Sequence, residues 1–297
     1  MGWSHCTPVQ EVVIPKVLDG ADVAGLAQTG TGKTGAFLIP LIERILRARD
    51  RSENESEAEP DSSEAGPQRA RAFPNWKRGH YILILVPTRE LAQQVFEEAV
   101  KLGEGAGLRS VAIYGGAAYE GQRDGLRAGA EFVIGTPGRL IDLYKGRSLD
   151  LRNVRAVVFD EADRMFDMGF KADMVFMLKA IDRRRQFLVF SATLNFDVLR
   201  TAYRFGSDPV EFNLSQDEAK AEGVADQVFH CSGDEKPAFL LSLLARLQPR
   251  QAIIFSNFKS NVERIAEFLK SNGYHADGIS SQLSQAQRLK VLERFKS

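Results

Sequence analysis

Lys33 and Thr34 close the stretch Ala27-Gln28-Thr29-Gly30-Thr31-Gly32-Lys33-Thr34, which reads A-x-x-G-x-G-K-T. Glycines at this spacing let the backbone curl until several N–H groups point at one anion. A lysine directly behind them can reach the outer phosphates of a nucleoside triphosphate, and the hydroxyl beside it is placed to ligate Mg²⁺. The pattern is that of a phosphate-binding loop with Ala27 in place of the first glycine. Much later, Asp160-Glu161-Ala162-Asp163 follows an apolar run. The first carboxylate of such a pair can hold Mg²⁺, usually through water, and the second can orient or deprotonate an attacking water. Phosphoryl transfer needs mainly positioning and charge neutralisation, and Lys33, Thr34, Asp160 and Glu161 supply both. The plain alternatives are a flexible Gly/Thr turn and an acidic helix start, since acids favour the first turn. The two motifs together in one chain favour ATPase chemistry.

A third set has no ATPase logic. Pro87-Thr88-Arg89-Glu90, Gly115-Gly116 and Thr136-Pro137-Gly138-Arg139 offer hydroxyls, exposed backbone N–H groups and arginines. Those are groups that bind phosphates. No helix presents a base-reading row of Asn, Gln and Arg. The plain alternative is ordinary helix capping by Thr88 and Thr136.

These residues need elements to hold them. Apolar runs predict strands over 22–27, 81–86, 110–114, 132–134, 156–159 and 187–190, each followed by helical spacing. Short apolar strands alternating with amphipathic helices mean a parallel sheet covered by helices, an α/β fold. In such sheets the working residues gather at the carboxyl ends of the strands. After the first loop, Leu38, Leu41, Ile42, Ile45 and Leu46 predict a helix, within which Pro40 is a candidate kink. Thr7-Pro8 predicts a helix start, with Val9, Val12, Val13 and Val17 as its apolar face, interrupted by Pro15; the plain alternative for Gln10 is a solvated helix residue. Residues 48–79 are acidic and polar with basic flanks, and are expected to be a disordered surface insertion. Residues 215–226 read as a linker. A second α/β series follows over 227–297, with strands at 228–230, 252–255 and 274–279; about 70 residues is short for such a domain.

Composition bounds the class. With 39 basic and 39 acidic residues the net charge is zero, so any basic binding face must be local. Cys6 and Cys231 lie far apart and suggest neither a zinc site nor a disulfide framework. No apolar run approaches membrane-spanning length and the start is not a signal peptide, so a cytoplasmic protein with no membrane partner is expected.

In order along the chain, these motifs resemble those of the DEAD-box RNA helicases. Thr7-Pro8-Val9-Gln10 resembles the family's adenine-recognising Q motif, and Ala27 to Thr34 its first motif. Pro87-Thr88-Arg89-Glu90-Leu91, Gly115-Gly116 and Thr136-Pro137-Gly138-Arg139 resemble its RNA-backbone motifs. Asp160-Glu161-Ala162-Asp163 matches the name-giving box. Ser191-Ala192-Thr193 resembles the motif that links ATP state to RNA handling, and Asp163 is grouped with Ser191 and Thr193 in that coupling role. Ile254-Phe255-Ser256-Asn257 and Gln285-Ala286-Gln287-Arg288 resemble the first motifs of a second domain.

The resemblance implies a RecA-like ATP-binding domain over 1–214, followed by an incomplete second RecA-like domain. It implies ATP and Mg²⁺ as cofactors, and RNA as a partner gripped by its backbone. Protein partners would meet the second domain or the charged insertion. Two departures stand out. The chain begins nine residues before Gln10, short of the family's upstream adenine-stacking aromatic residue, and ends before the family's late arginine motifs. Arg288 fits the earlier motif and not the arginine finger. A fragment that binds nucleotide but unwinds little RNA is therefore expected. The alternative class is a P-loop ATPase or nucleotide-binding module without helicase action.

Overall fold

The computed structural model describes residues 5–28, 30–54, 73, 76–183, 185–193, 196–205, 209–213 and 227–296. Thr29, residues 55–72 and the expected linker over 215–226 lie outside the described residues. The chain divides into two compact units, Met1–Glu218 and Ala219–Ser297.

The first unit is built on one sheet of seven parallel strands: β1 (Val23–Leu26), β2 (Tyr81–Leu85), β3 (Ser110–Ile113), β4 (Phe132–Gly135), β5 (Val154–Phe159), β6 (Gln186–Ser191) and β7 (Val210–Asn213). Their order is β3-β4-β2-β5-β6-β1-β7. Successive strand residues face opposite sides. Ile82, Ile84, Val158 and Leu188 accordingly join one core, while Leu83, Leu85, Val157 and Val189 join another. The first core is closed by α1 (Pro8–Leu18), α2 (Lys33–Asn54) and α3 (Arg89–Gly103), through Val13, Phe37, Leu41 and Val95. The second is closed by α5 (Pro137–Lys145), α6 (Ala162–Asp167), α7 (Lys171–Ala180) and α8 (Phe196–Phe205), through Leu140, Met165, Met177 and Phe205. Helix α4 (Tyr119–Arg127) lies between β3 and β4 in sequence. Helices on both faces explain why the central strands are continuously apolar. Each large apolar side chain buried in these two cores contributes about 1.5–3 kcal/mol.

Two expectations need correction here. Helix α2 runs unbroken past Pro40 to Asn54, so the expected insertion does not begin at 48. Ala48 is buried in the first core, and the Arg49 guanidinium pairs with Glu131 at 2.7 Å. The far flank is anchored as well. Phe73 and Trp76 are buried with their rings 5.3 Å apart, and the Arg44 guanidinium lies over Phe73. Average composition hid these anchors, because a few buried side chains suffice to dock a polar segment. Strand β7 was also unforeseen. It pairs with β1 at the sheet edge, and its residues are alternately half-buried and exposed.

Next to this anchor, the Lys77 N–H donates to His80 Nδ1 at 3.0 Å, and an Arg155 nitrogen stands 2.6 Å from Nε2. Burial, then the charges of Arg155 and Lys77, push His80 from 6.5 down to about 4. The unfolded chain therefore binds a proton at His80 that the folded chain refuses, between about pH 6.5 and 4. Stability from this site is complete above that window and is lost as pH falls through it. Urea titrations at pH 7 and pH 5 are expected to show a smaller acid loss for His80→Gln than for the native chain; an equal loss would remove His80 from the account.

The second unit contains α9 (Lys236–Leu247), α10 (Lys259–Ser271) and α11 (Gln285–Lys296). The strands predicted at 228–230, 252–255 and 274–279 are not formed among the described residues. A strand exists only as part of a ladder, and these runs have none, which leaves Ile253 and Phe255 largely exposed.

Candidate functional site

Because all seven strands are parallel, their carboxyl ends share one edge of the sheet. The neighbouring strands β5, β6 and β1 end in Asp160-Glu161, Ser191 and the glycine-rich loop. The neighbouring strands β3, β4 and β2 end in Gly115-Gly116, Thr136-Pro137 and Pro87-Thr88-Arg89. The order of the strands thus sorts the motifs into two adjoining groups.

The loop from Ala27 to Gly32 leaves β1 and enters α2 at Lys33. Gly30 and Gly32 have φ of 84° and 91°, which L side chains resist. Thr31 Oγ1 donates to the Gln28 carbonyl at 2.8 Å and tightens the turn. Lys33 is buried and its ammonium donates to the Ala27 carbonyl at 2.8 Å. Gln10 is buried, which the plain alternative of a solvated residue does not allow. Its Oε1 accepts from the Thr7 N–H at 3.1 Å and its Nε2 donates to the Gly32 carbonyl at 3.1 Å. One amide therefore caps α1 and fastens it to the loop. A cleft of about 450 Å³ opens here, lined by Gln10, Gly30, Gly32, Lys33, Thr34, Asp160, Glu161 and Arg164, and on the α3 side by Thr88, Gln94 and Glu98. Gln94 and Glu98 escaped the sequence reading. Their spacing with Glu90 (i, i+4, i+8) marks a single stripe of a helix and could have revealed them.

The acidic side of the cleft is set by burial. Asp160 is fully enclosed, and burial pushes its carboxyl up to about 6. Lys33 pulls it back down, while the charges of Glu161 and Asp163 push it further up. Asp160 Oδ1 accepts from the Glu161 N–H at 3.0 Å. Glu161 sits in the left-handed region at φ 52°, ψ 50°, a conformation costing a non-glycine residue about 1–3 kcal/mol. Its carboxylate accepts from Arg164 Nη1 at 2.8 Å.

The residue chemistry fits a magnesium nucleotide. Loop N–H groups and Lys33 suit phosphates, and the Thr34 hydroxyl and Asp160 carboxylate are hard oxygen ligands in one cleft. Thr7 Oγ1 is buried without a partner among the described residues, beside Gly32. No group of three or more His, Cys, Asp or Glu side chains could hold a metal alone among the described residues.

Asp163, Ser191 and Thr193 come together although 28 to 30 residues separate Asp163 from the other two. Asp163 Oδ2 accepts from the Thr193 N–H at 2.9 Å and from its hydroxyl at 3.0 Å. Ser191 Oγ accepts from the Asp163 N–H at 3.2 Å and donates to the Thr193 carbonyl at 2.6 Å. This network ties the start of α6 to the end of β6.

The second group of motifs divides on the capping alternative. Thr88 Oγ1 caps α3 by accepting from the Leu91 N–H at 3.2 Å. Thr136 makes no such bond, and its own N–H donates to the Ile113 carbonyl at 3.0 Å. Pro137 opens α5 and is buried, whereas Gly138 is exposed. The Arg89 guanidinium lies against Gly115 and Gly116. Gly116 has φ of 83°, and a Cβ there would stand 2.5 Å from Arg89 Nη1. Arg139 Nη1 donates to the Ala117 carbonyl at 3.1 Å. Gln122, also unforeseen, is buried and donates to the Tyr114 carbonyl at 3.1 Å, which holds this loop in shape.

Comparison with known proteins matches these motifs as a set. The family described as DEAD/DEAH box helicase matches residues 7–201, and the helicase conserved C-terminal domain matches 235–297. The chain is similar to an ATP-dependent RNA helicase RhlB of Xanthomonas oryzae pv. oryzae, 40% identical over 99% of this chain and 48% of that one. It is also similar to the RhlB of Pseudoalteromonas atlantica, 36% identical over 99% of this chain and 65% of that one. The chain thus spans about half to two thirds of the length of such relatives. Among solved structures, a DEAD box protein from the hyperthermophile Methanococcus jannaschii matches with TM-score 0.57 and 32% identity, covering 98% of this chain and 70% of that one. A hypothetical ATP-dependent RNA helicase from Sulfolobus tokodaii matches with TM-score 0.57 and 31% identity, covering 71% of this chain and 53% of that one.

Proposed function

Because the chain belongs to the DEAD/DEAH box helicase family, we propose that it is the nucleotide- and RNA-binding part of an ATP-dependent RNA helicase. One observation carries this reading: a single sheet edge holds a phosphate loop with its acidic pair and, on the adjoining strands, three loops of phosphate-binding groups.

In this reading the N–H groups of residues 28–34 and the Lys33 ammonium grip the ATP phosphates, Lys33 leaving the Ala27 carbonyl to do so. Thr34 and Asp160 hold Mg²⁺, which when bound neutralises charge on the phosphates. Holding a cation keeps Asp160 ionised despite its burial. Glu161 releases Arg164 and orients and deprotonates the attacking water. Pro87, Thr88, Arg89, Gly115, Gly116, Thr136, Pro137, Gly138 and Arg139 form the RNA-backbone surface. The Asp163–Ser191–Thr193 network, rooted next to Glu161, couples the two events. A cytoplasmic location fits a reaction that consumes ATP on RNA, since both are present there.

The test is ATP turnover by the protein that carries this chain, with and without single-stranded RNA. RNA-stimulated turnover that is lost in Lys33→Ala supports the reading. Turnover indifferent to RNA would leave only a P-loop ATPase without helicase action.

Gln10 should also select the base. Its amide has one donor and one acceptor site beyond its bonds to Thr7 and Gly32. That pair matches adenine, whereas guanine reverses the pattern and would meet unmatched groups. Competition binding of Mg-ADP against Mg-GDP is expected to favour adenine in the native chain. Gln10→Ala should weaken both nucleotides by loosening the loop and should erase the preference. An unchanged ratio would remove Gln10 from base selection.

A further inference from the structure

We propose that Tyr119 contacts RNA directly, its ring serving as a stacking platform for a base of the single strand. The inference rests on the RNA-binding reading above and adds base contact to what is otherwise a backbone interface. Tyr119 opens α4 immediately beyond the Gly115-Gly116 loop, and it keeps 43% of its surface exposed. The Arg139 guanidinium lies 3.9 Å from the ring centroid, well within cation–π range. The same guanidinium donates to the Ala117 carbonyl at 3.1 Å, so it is fixed between ring and loop. The Tyr119 hydroxyl stands 3.4 Å from Asp142 Oδ2 on α5. Arg123, one turn further along α4, places its guanidinium 5.8 Å from the ring, and its Nε is buried without a partner among the described residues.

The plain explanation is a brace that shapes the loop, and single exposed apolar side chains are common. What distinguishes Tyr119 is its place. It lies between the loop where Arg89 packs on Gly116 and the helix start that carries Thr136 and Arg139. Two guanidinium groups, those of Arg123 and Arg139, stand 5.8 and 3.9 Å from its ring, although the chain as a whole has no net charge. Phosphate contacts fix a strand but leave its bases without partners. Unpaired bases stack on aromatic rings and guanidinium planes, with little preference among bases because each has a π-face. Bases inside a duplex cannot do so. A ring at this position therefore favours the separated strand over the duplex without reading sequence.

The experiment measures fluorescence anisotropy of labelled oligoadenylate and of an abasic strand of equal length, with a non-hydrolysable ATP analogue present. The native chain is compared with Tyr119→Leu, Tyr119→Phe and Arg89→Ala. Tyr119→Leu is expected to bind oligoadenylate about fivefold or more weakly while its affinity for the abasic strand stays unchanged. Tyr119→Phe should remain close to native, and Arg89→Ala should weaken both strands alike. Equal loss on both strands in Tyr119→Leu would reduce the ring to a brace, and no loss on either would dismiss it; both results overturn the proposal. Failure of the RNA-binding reading itself looks different, since the native chain would then bind neither strand.

Discussion

Glu161→Gln is expected to lower RNA-stimulated ATP turnover by about 10²–10⁴-fold while leaving nucleotide affinity within a few-fold of native. The substitution keeps the side chain's size. Its amide oxygen can still accept from Arg164, which now donates to the carboxylate at 2.8 Å, so the left-handed turn at residue 161 keeps its anchor. What is lost is the capacity to take a proton, and that matters only in the transition state. The phosphates are assigned to the loop and to Lys33, and Mg²⁺ to Thr34 and Asp160, so binding should survive. Single-turnover kinetics together with equilibrium titration separates the two effects. A variant that no longer bound nucleotide, yet turned over each bound ATP at the native rate, would show that Glu161 holds the ligand and does not act on water.

Much of this arrangement can be read from residue types alone, for identifiable reasons. The glycine-rich loop is legible because glycine adopts the positive φ at residues 30 and 32 far more readily than any other residue. Strands β2, β5 and β6 are legible because burial on both faces demands unbroken apolar runs. Strand β7 has one covered side at the sheet edge, so Val210 and Phe212 alternate with Glu211 and Asn213 and the signal halves. The anchoring of Phe73 and Trp76 depends on a cleft created by distant elements, and no local pattern announces it. Gln10 teaches the same lesson at the site. A glutamine in the first turn of a helix reads as solvated until the fold brings Gly32, 22 residues on, within 3.1 Å of its amide. The Asp163–Thr193 network could be anticipated only through resemblance to a family, because nothing local to either residue requires the other.

The contact between Gln10 and Gly32 leads to the second large effect. Gly32→Ala is expected to weaken Mg-ATP binding by about 10²-fold or more, and Gly30→Ala by only about 5–30-fold. Both glycines have positive φ, 84° at Gly30 and 91° at Gly32, so a side chain at either costs about 1–2 kcal/mol of backbone strain. Their surroundings differ. A Cβ at Gly30 would meet nothing within 4 Å, whereas at Gly32 it would stand 2.8 Å from Gln10 Nε2, 2.9 Å from Thr7 Oγ1 and 3.1 Å from Thr7 Cγ2. Overpacking of this kind typically adds about 1–3 kcal/mol, and here it would push the start of α1 off the loop that receives the phosphates. Combining Gly32→Ala with Gln10→Ala removes the closest collision, so the pair should bind more tightly than the two separate losses predict. Isothermal titration of Mg-ADP and Mg-ATP across the four variants measures this coupling. Equal losses at Gly30 and Gly32, or strict additivity in the double variant, would mean that the seat of α1 against the loop does not govern nucleotide binding.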